Sequence, residues 1–302
     1  MKKYNAHLIV MGLALAAVLL FMSACSPSTG ATGNGSSSLS VLQVLQKSAN
    51  VMQKLNSVHF DTTTTGGIKG TYSGTPTASK PTSNNVSFNL KANGDQLMPD
   101  QDSAHITLNS TTKVAEIVTS DKVYIQNPQG QWYVLDKSAM QGYIGNPLGG
   151  VTMPDTNTWL MLLEHVQITD HGIQSLNGQN LRHISATLDK DSLEQILTSN
   201  DQLSSLFGKQ NIHNILNSAK SLTGTLDVWI DETNFYVHRT ELKFNLNADT
   251  SSITPTATVT VPLNAAVTFD SIVDLSKFNE PVTITPPTNA IPTNNPITIL
   301  GG

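Results

Sequence analysis

Cys25 is the single cysteine of the 302-residue sequence, and it closes the motif Met22-Ser23-Ala24-Cys25. A basic start at Lys2 and Lys3, an apolar run from about Leu8 to Met22 and small residues before the cysteine form a secretory signal ending in a lipobox. The expected chemistry is lipidation: the Cys25 sulfur takes a diacylglyceryl group through a thioether, and residues 1–24 are removed. Two acyl chains, at about 0.8 kcal/mol per buried methylene, anchor firmly where one would exchange. The alternative is an ordinary signal peptide cut near Ala24. As a helix the apolar run rises about 22 Å against about 30 Å of hydrocarbon, which argues against a permanent span.

Other chemistries find less support. Without a second cysteine, the mature chain has no disulfide, no cysteine metal site and, with Cys25 lipidated, no cysteine nucleophile. Eight histidines are present, and their densest acidic neighbourhood is Glu164, His165, Asp170 and His171. That spacing fits no zinc template, so these residues are read as surface loop positions and no metal is expected. Ser, His and Asp are plentiful, but there is no Gly-x-Ser-x-Gly elbow and no Gly-rich phosphate loop. The chain is therefore read as a non-enzyme without a cofactor, a hydrolase being the third-ranked reading. Loss of Lys2 and Lys3 takes the 17 basic side chains to 15 against 22 acidic ones, a net charge of −7 with no basic run. Nucleic acid is not an expected partner.

The elements that must position any site follow from the patterning. Residues 25–38, rich in Ser, Gly and Thr, read as a flexible tether. Val41, Leu42, Leu45, Ala49, Met52 and Leu55 recur at helical spacing over 39–55, with Ser38 or Ser40 as cap. From Val58 the period becomes two. Val86, Phe88 and Leu90 alternate with polar neighbours, as do Ile106 and Leu108, Val123 and Ile125, and Trp132 and Val134. Alternation returns in Leu226, Val228 and Ile230, in Leu242, Phe244 and Leu246, and from Val259 to Phe269. Helices are expected near 156–165, 191–199 and 202–219, the last interrupted at Gly208. Turns are expected at Asn93-Gly94, Asn127 to Gly130, Asp170-His171-Gly172, Asn177-Gly178 and Asp231 to Asn234. Residues 73–85 read as a long hairpin loop.

Helix, strands, a helical middle and more strands give an α+β fold: one large curved antiparallel half-barrel sheet wrapped around a few helices. Such a sheet has more apolar surface than a few short helices can cover, which predicts either closure or a dry cavity open to an apolar guest.

The order of several segments resembles the lipid-carrying lipoproteins of the LppX and LprAFG type, with their LolA-like fold. The resemblance rests on Leu55-Asn56-Ser57-Val58-His59-Phe60, on Asp121 to Ile125 with Gln131-Trp132-Tyr133-Val134, and on Leu226 to Asp231. Tyr236 to Leu242 and Phe278 to Ile284 extend it over nearly all of the mature chain. It implies a single domain over 39–287; the remaining residues, 288–302, read from their own pattern as a loosely ordered tail. It also implies a hydrophobic cavity for an acylated lipid or glycolipid, and it carries no ligand signature to transfer residue by residue. Pattern alone nominates Trp159, Leu160 and Leu163, from the run Trp159 to Leu163, together with Leu206, Phe207, Ile212, Ile215 and Leu216 as cavity lining. Trp132, Trp159 and Trp229 are either ligand platforms or packed aromatics. The expected location is the extracytoplasmic face of a membrane, held by Cys25, with any protein partner left open. The rival reading is a surface interaction or sensory module of the same fold whose core is filled by its own side chains.

Overall fold

The computed structural model describes residues 39–71, 83–140, 166–199, 209–249, 264–294 and 299. Cys25, the tether and the expected helix at 156–165 lie outside them.

One 12-stranded sheet dominates, with strand order β12-β6-β5-β4-β3-β2-β1-β11-β10-β9-β8-β7. Its strands are β1 (Ser57–Thr71), β2 (Ser83–Leu97), β3 (Gln101–Leu108), β4 (Thr112–Val118), β5 (Lys122–Gln126) and β6 (Trp132–Asp136). The second half comprises β7 (Gln167–Leu176), β8 (Gln179–Thr187), β9 (Ala219–Ile230), β10 (Val237–Asp249), β11 (Asn264–Ser276) and β12 (Ile291–Pro292). Neighbours pair antiparallel except β12, which lies parallel to β6. The two halves join where β1 pairs with β11 across the chain ends. This is the α+β half-barrel expected, open at β12 and β7. Among the described residues, four helical segments accompany it: α1 (Val41–Met52), α2 (Lys137–Met140), α3 (Lys190–Ser199) and α4 (Lys209–Asn217).

Helix α1 starts where a capping box forms. Ser40 accepts from the Gln43 backbone N–H, and the Gln43 side chain accepts from the Ser40 N–H. Val41, Val44, Leu45, Ser48 and Met52 are its buried residues. The helix is tied to the sheet at its entry by Arg182, which donates Nη1 to the Leu39 carbonyl at 2.9 Å. The same guanidinium binds Asp170 at 2.6 Å and Glu232 at 2.7 Å, with Arg182 and Asp170 both 5 % exposed. Burial pushes the Asp170 carboxyl up, but hydrogen bonds from Arg182 and the Gly172 N–H more than reverse this and hold it below its ordinary value.

Several turns form as the sequence predicts. Asn177 and Gly178 both have positive φ, 51° and 80°, the conformation of the two-residue hairpin between β7 and β8. Asn127 Oδ1 accepts from the Gln129 and Gln131 N–H groups, with Gly130 at φ 85°. Asp231 accepts from the backbone N–H groups of Thr233 and Asn234.

Other expectations need correction. Asn93-Gly94 is no turn: it lies inside β2, opposite Asp61 and Phe60, and the chain reverses at residues 98–100 instead. Gly94 is there for close approach, since a Cβ would lie 2.0 Å from the Ser103 carbonyl oxygen. Asp170-His171-Gly172 is likewise no hairpin but a bulge in β7, where the pairing with β8 slips one residue. In β6 the inward face carries Tyr133 and Leu135, paired with Ile125 and Val123, rather than Trp132 and Val134. The expected loop at 73–85 is shorter than read, because β2 already begins at Ser83. Within the stretch read as a loose tail, Ile291 and Pro292 pair with Tyr133 and Val134, and Ile299 is buried.

Gly94→Ala should therefore cost about 2–4 kcal/mol, because two backbones must part to admit a methyl group. Urea unfolding measures this; a loss below about 0.5 kcal/mol would contradict the close approach.

Candidate functional site

Cross-strand register sorts the inner face of the sheet into rows. The first joins Val86, Val267, Leu246 and Leu222 through the backbone position of Ile68. Next come Phe88, Gly66, Phe269, Phe244 and Gly224, then Leu90, Thr64, Ser271, Leu242, Leu226 and Ala186. A fourth row runs Val114, Ile106, Ala92, Thr62, Val273, Thr240, Val228 and Ile184. Strand alternation alone produces this two-faced surface: each buried position is followed by an exposed or half-exposed one in β10, for example.

The rows differ in how they are covered. In the second, Phe269 sits 5.1 Å from Phe244 and 6.5 Å from Phe88, and all three are buried. Gly66 makes room for them, since a Cβ there would lie 2.5 Å from the Phe88 ring. Leu90 and Leu242, in the third row, are almost fully buried. Among the described side chains of the first row only Leu246 is buried; Val86, Val267 and Leu222 stay half-buried, as does Leu108 beside Leu90. Hydrocarbon is thus continuous from a filled region to a partly accessible one.

The inner face also carries polar groups that sequence reading missed. Asp102, opposite Gln96 and Val118, and Glu116, opposite Ala104 and Ile125, are both 4 % exposed. Among the described residues, Asp102 Oδ1 and Glu116 Oε1 have no hydrogen-bond partner, nor do the buried hydroxyls of Thr62, Thr240 and Ser48. Burial pushes the Glu116 carboxyl up to about 8. Burial, and then the proximity of Glu116, raise Asp102 well above its ordinary value, with Lys137 pulling the other way. Glu116 is thereby held neutral near pH 7, and the two carboxyls form a hydrogen-bonding spot in an apolar wall. A signal did exist: Asp102 falls in the apolar phase of Ala104 and Ile106, and Glu116 in that of Val114 and Val118.

Of the pattern-nominated lining residues, Ile212 and Leu216 are buried on α4 and Ile215 is half-buried against the same cluster. Trp159, Leu160, Leu163, Leu206 and Phe207 lie outside the described residues, as do Glu164 and His165. Trp229 is on the outer face, its ring stacked on His183, and Trp132 is half-buried on the same side. Asp170 is committed to Arg182. A Ser-x-x-Lys sequence, Ser110 to Lys113, falls at the exposed β3–β4 turn. Among the described residues no helix is long and apolar enough to cross a membrane.

The strand order and the two-faced register define an α+β protein built on one large, mostly antiparallel open sheet. Solved structures similar to it include the lipoprotein LppX of Mycobacterium tuberculosis, at 16 % identity and TM-score 0.43, covering 80 % of this chain and 96 % of that one. LprF from Mycobacterium bovis is similar at 16 % identity and TM-score 0.35, over 81 % of this chain and 95 % of that one. A putative outer membrane lipoprotein-sorting protein domain from Vibrio parahaemolyticus follows at 9 % identity and TM-score 0.20, over 74 % and 87 %. No family model and no curated protein matches the sequence.

The carboxyl pair makes a pH-dependent prediction. In the unfolded chain Glu116 ionises near 4.5, while in the fold it keeps its proton to about 8. Between those values the unfolded state binds fewer protons, so stability falls as pH rises through this window, by a few kcal/mol on the order of magnitude. Glu116→Gln should raise Tm at pH 7.5 and leave it nearly unchanged at pH 4. An equal change at both values would contradict the assignment.

Proposed function

We propose that the protein is a membrane-tethered, extracytoplasmic lipid-binding lipoprotein, which holds the hydrocarbon of an acylated lipid or glycolipid against the inner face of its sheet. The observation that carries the reading is the partly accessible aliphatic row of Val86, Val267 and Leu222, continuous with the buried phenylalanines behind it. A bound acyl chain leaves water at about 25 cal/mol per Å² of apolar surface, while its polar head stays at the mouth. Release needs only an acceptor that offers the chain an equally dry environment. The resemblance of the sequence segments to lipid-carrying lipoproteins points the same way, and the lipobox at Cys25 supplies the anchor. Binding and carriage use no covalent step, which fits a chain without a nucleophile elbow or phosphate loop.

Two experiments test this. Leu222→Trp places a large ring on the accessible row, and it should weaken uptake of a fluorescent fatty acid by residues 36–302 roughly tenfold, about 1.4 kcal/mol. Unchanged uptake with unchanged circular dichroism would favour an interaction module with a filled interior. Separately, Cys25→Ser should abolish palmitate labelling and release the chain from membranes; a variant that still labels would remove the anchor from the account.

A further inference from the structure

We propose that the outer face of the sheet carries a divalent transition-metal site, built from His171, His183 and Asp227 at the β7 edge, with zinc as the fitting ion. Sequence spacing did not reveal it, because three different strands supply the ligands. Strand pairing places His183 opposite Trp229 and Ser185 opposite Asp227, on the face away from the apolar rows. The β7 bulge then turns Asp170 inward to Arg182 and leaves His171 as the extra residue beside His183.

The donors converge. His183 Nε2 lies 2.8 Å from Asp227 Oδ1, and His171 Nε2 lies 2.7 Å from Ser185 Oγ. Both ring nitrogens are thus aimed at one cross-strand pair of oxygen atoms, and the ligand atoms of His171, His183 and Asp227 all lie within 4.8 Å of one another. His183 is held in place, its ring stacked at 4.3 Å on Trp229 and at 4.3 Å on His171, and its buried Nδ1 has no hydrogen-bond partner in the protein. The His183 and Asp227 side chains are 13 % and 17 % exposed. Stacking and the Nε2 contact with Asp227 orient the ring, and an ion at Nε2 would be bound by the tautomer that carries its proton on Nδ1.

His171 supplies the adjustable ligand. Its ring lies 20° from parallel to that of His183, so a shared ion requires it to turn. It is exposed, and β7 is the last strand of the sheet, so nothing beyond it in strand order opposes the turn. Glu241 sits across from Asp227 in β10 and engages Lys243, leaving the Asp227–His183 pair intact. Two imidazoles, one carboxylate and a serine hydroxyl or water make a four-coordinate nitrogen and oxygen set that suits zinc; calcium and magnesium prefer all-oxygen shells.

The test is calorimetric titration of the full, untagged chain in non-ionic detergent with zinc chloride, paired with thermal unfolding. The expected result is one equivalent of zinc bound and a Tm raised by saturating zinc. His171→Ala, at an exposed edge where folding is preserved, should weaken binding tenfold or more and abolish the Tm gain. His105→Ala, an exposed histidine on β3, should change neither. Zinc uptake below one-tenth of an equivalent, or uptake and Tm gain unaltered by His171→Ala, would overturn the proposal.

Discussion

The structure depends on one constraint: a sheet of twelve strands, all but one paired antiparallel, has two faces, and its apolar face must leave water. The hydrogen bonds of the ladder fix which residues share that face, so a slip of one residue anywhere would expose a whole row. Helix α1 covers part of the debt with Val41, Val44, Leu45 and Met52. Its seating relies on a buried charge cluster, in which Arg182 joins Asp170, Glu232 and the Leu39 carbonyl at the entry to the domain. Breaking such a cluster by removing one partner leaves an uncompensated buried charge, which is costly whatever the cluster's net contribution to stability.

Function follows from what that coverage leaves over. Phe88, Phe244 and Phe269 close one region, while Val86, Val267 and Leu222 at the neighbouring row stay accessible. The buried carboxyls of Asp102 and Glu116, and the hydroxyls of Thr62 and Thr240, set hydrogen-bonding groups into the same wall. An interior that mixes a continuous aliphatic surface with a few polar points is suited to orient a guest whose tail is hydrocarbon and whose head is polar.

Much of this arrangement was legible from periodicity. The alternation in Leu242, Phe244 and Leu246, and in Leu226, Val228 and Ile230, correctly names inward residues because period two is a property of the pleat itself. The Ser40 cap and the Asn177-Gly178 turn were legible because short-range geometry decides them. Failures occurred where long-range contact decides. Asn93-Gly94 looks like a turn, yet Gly94 serves a close approach to β3; Asp170-His171-Gly172 looks like a turn, yet it is a bulge held by Arg182, 12 residues on. Trp132 and Val134 lost the inward face to Tyr133 and Leu135 because pairing with β5 sets that register. The carboxylates at 102 and 116 were overlooked for being charged, although their phase along the strand was the buried one.

The most direct test of the central claim is native mass spectrometry, with lipid extraction, of residues 36–302 purified from the protein's own host. The account predicts a co-purifying acylated molecule at near one-to-one stoichiometry. A bare polypeptide mass in every preparation, with no acylated species in the extract, would contradict it.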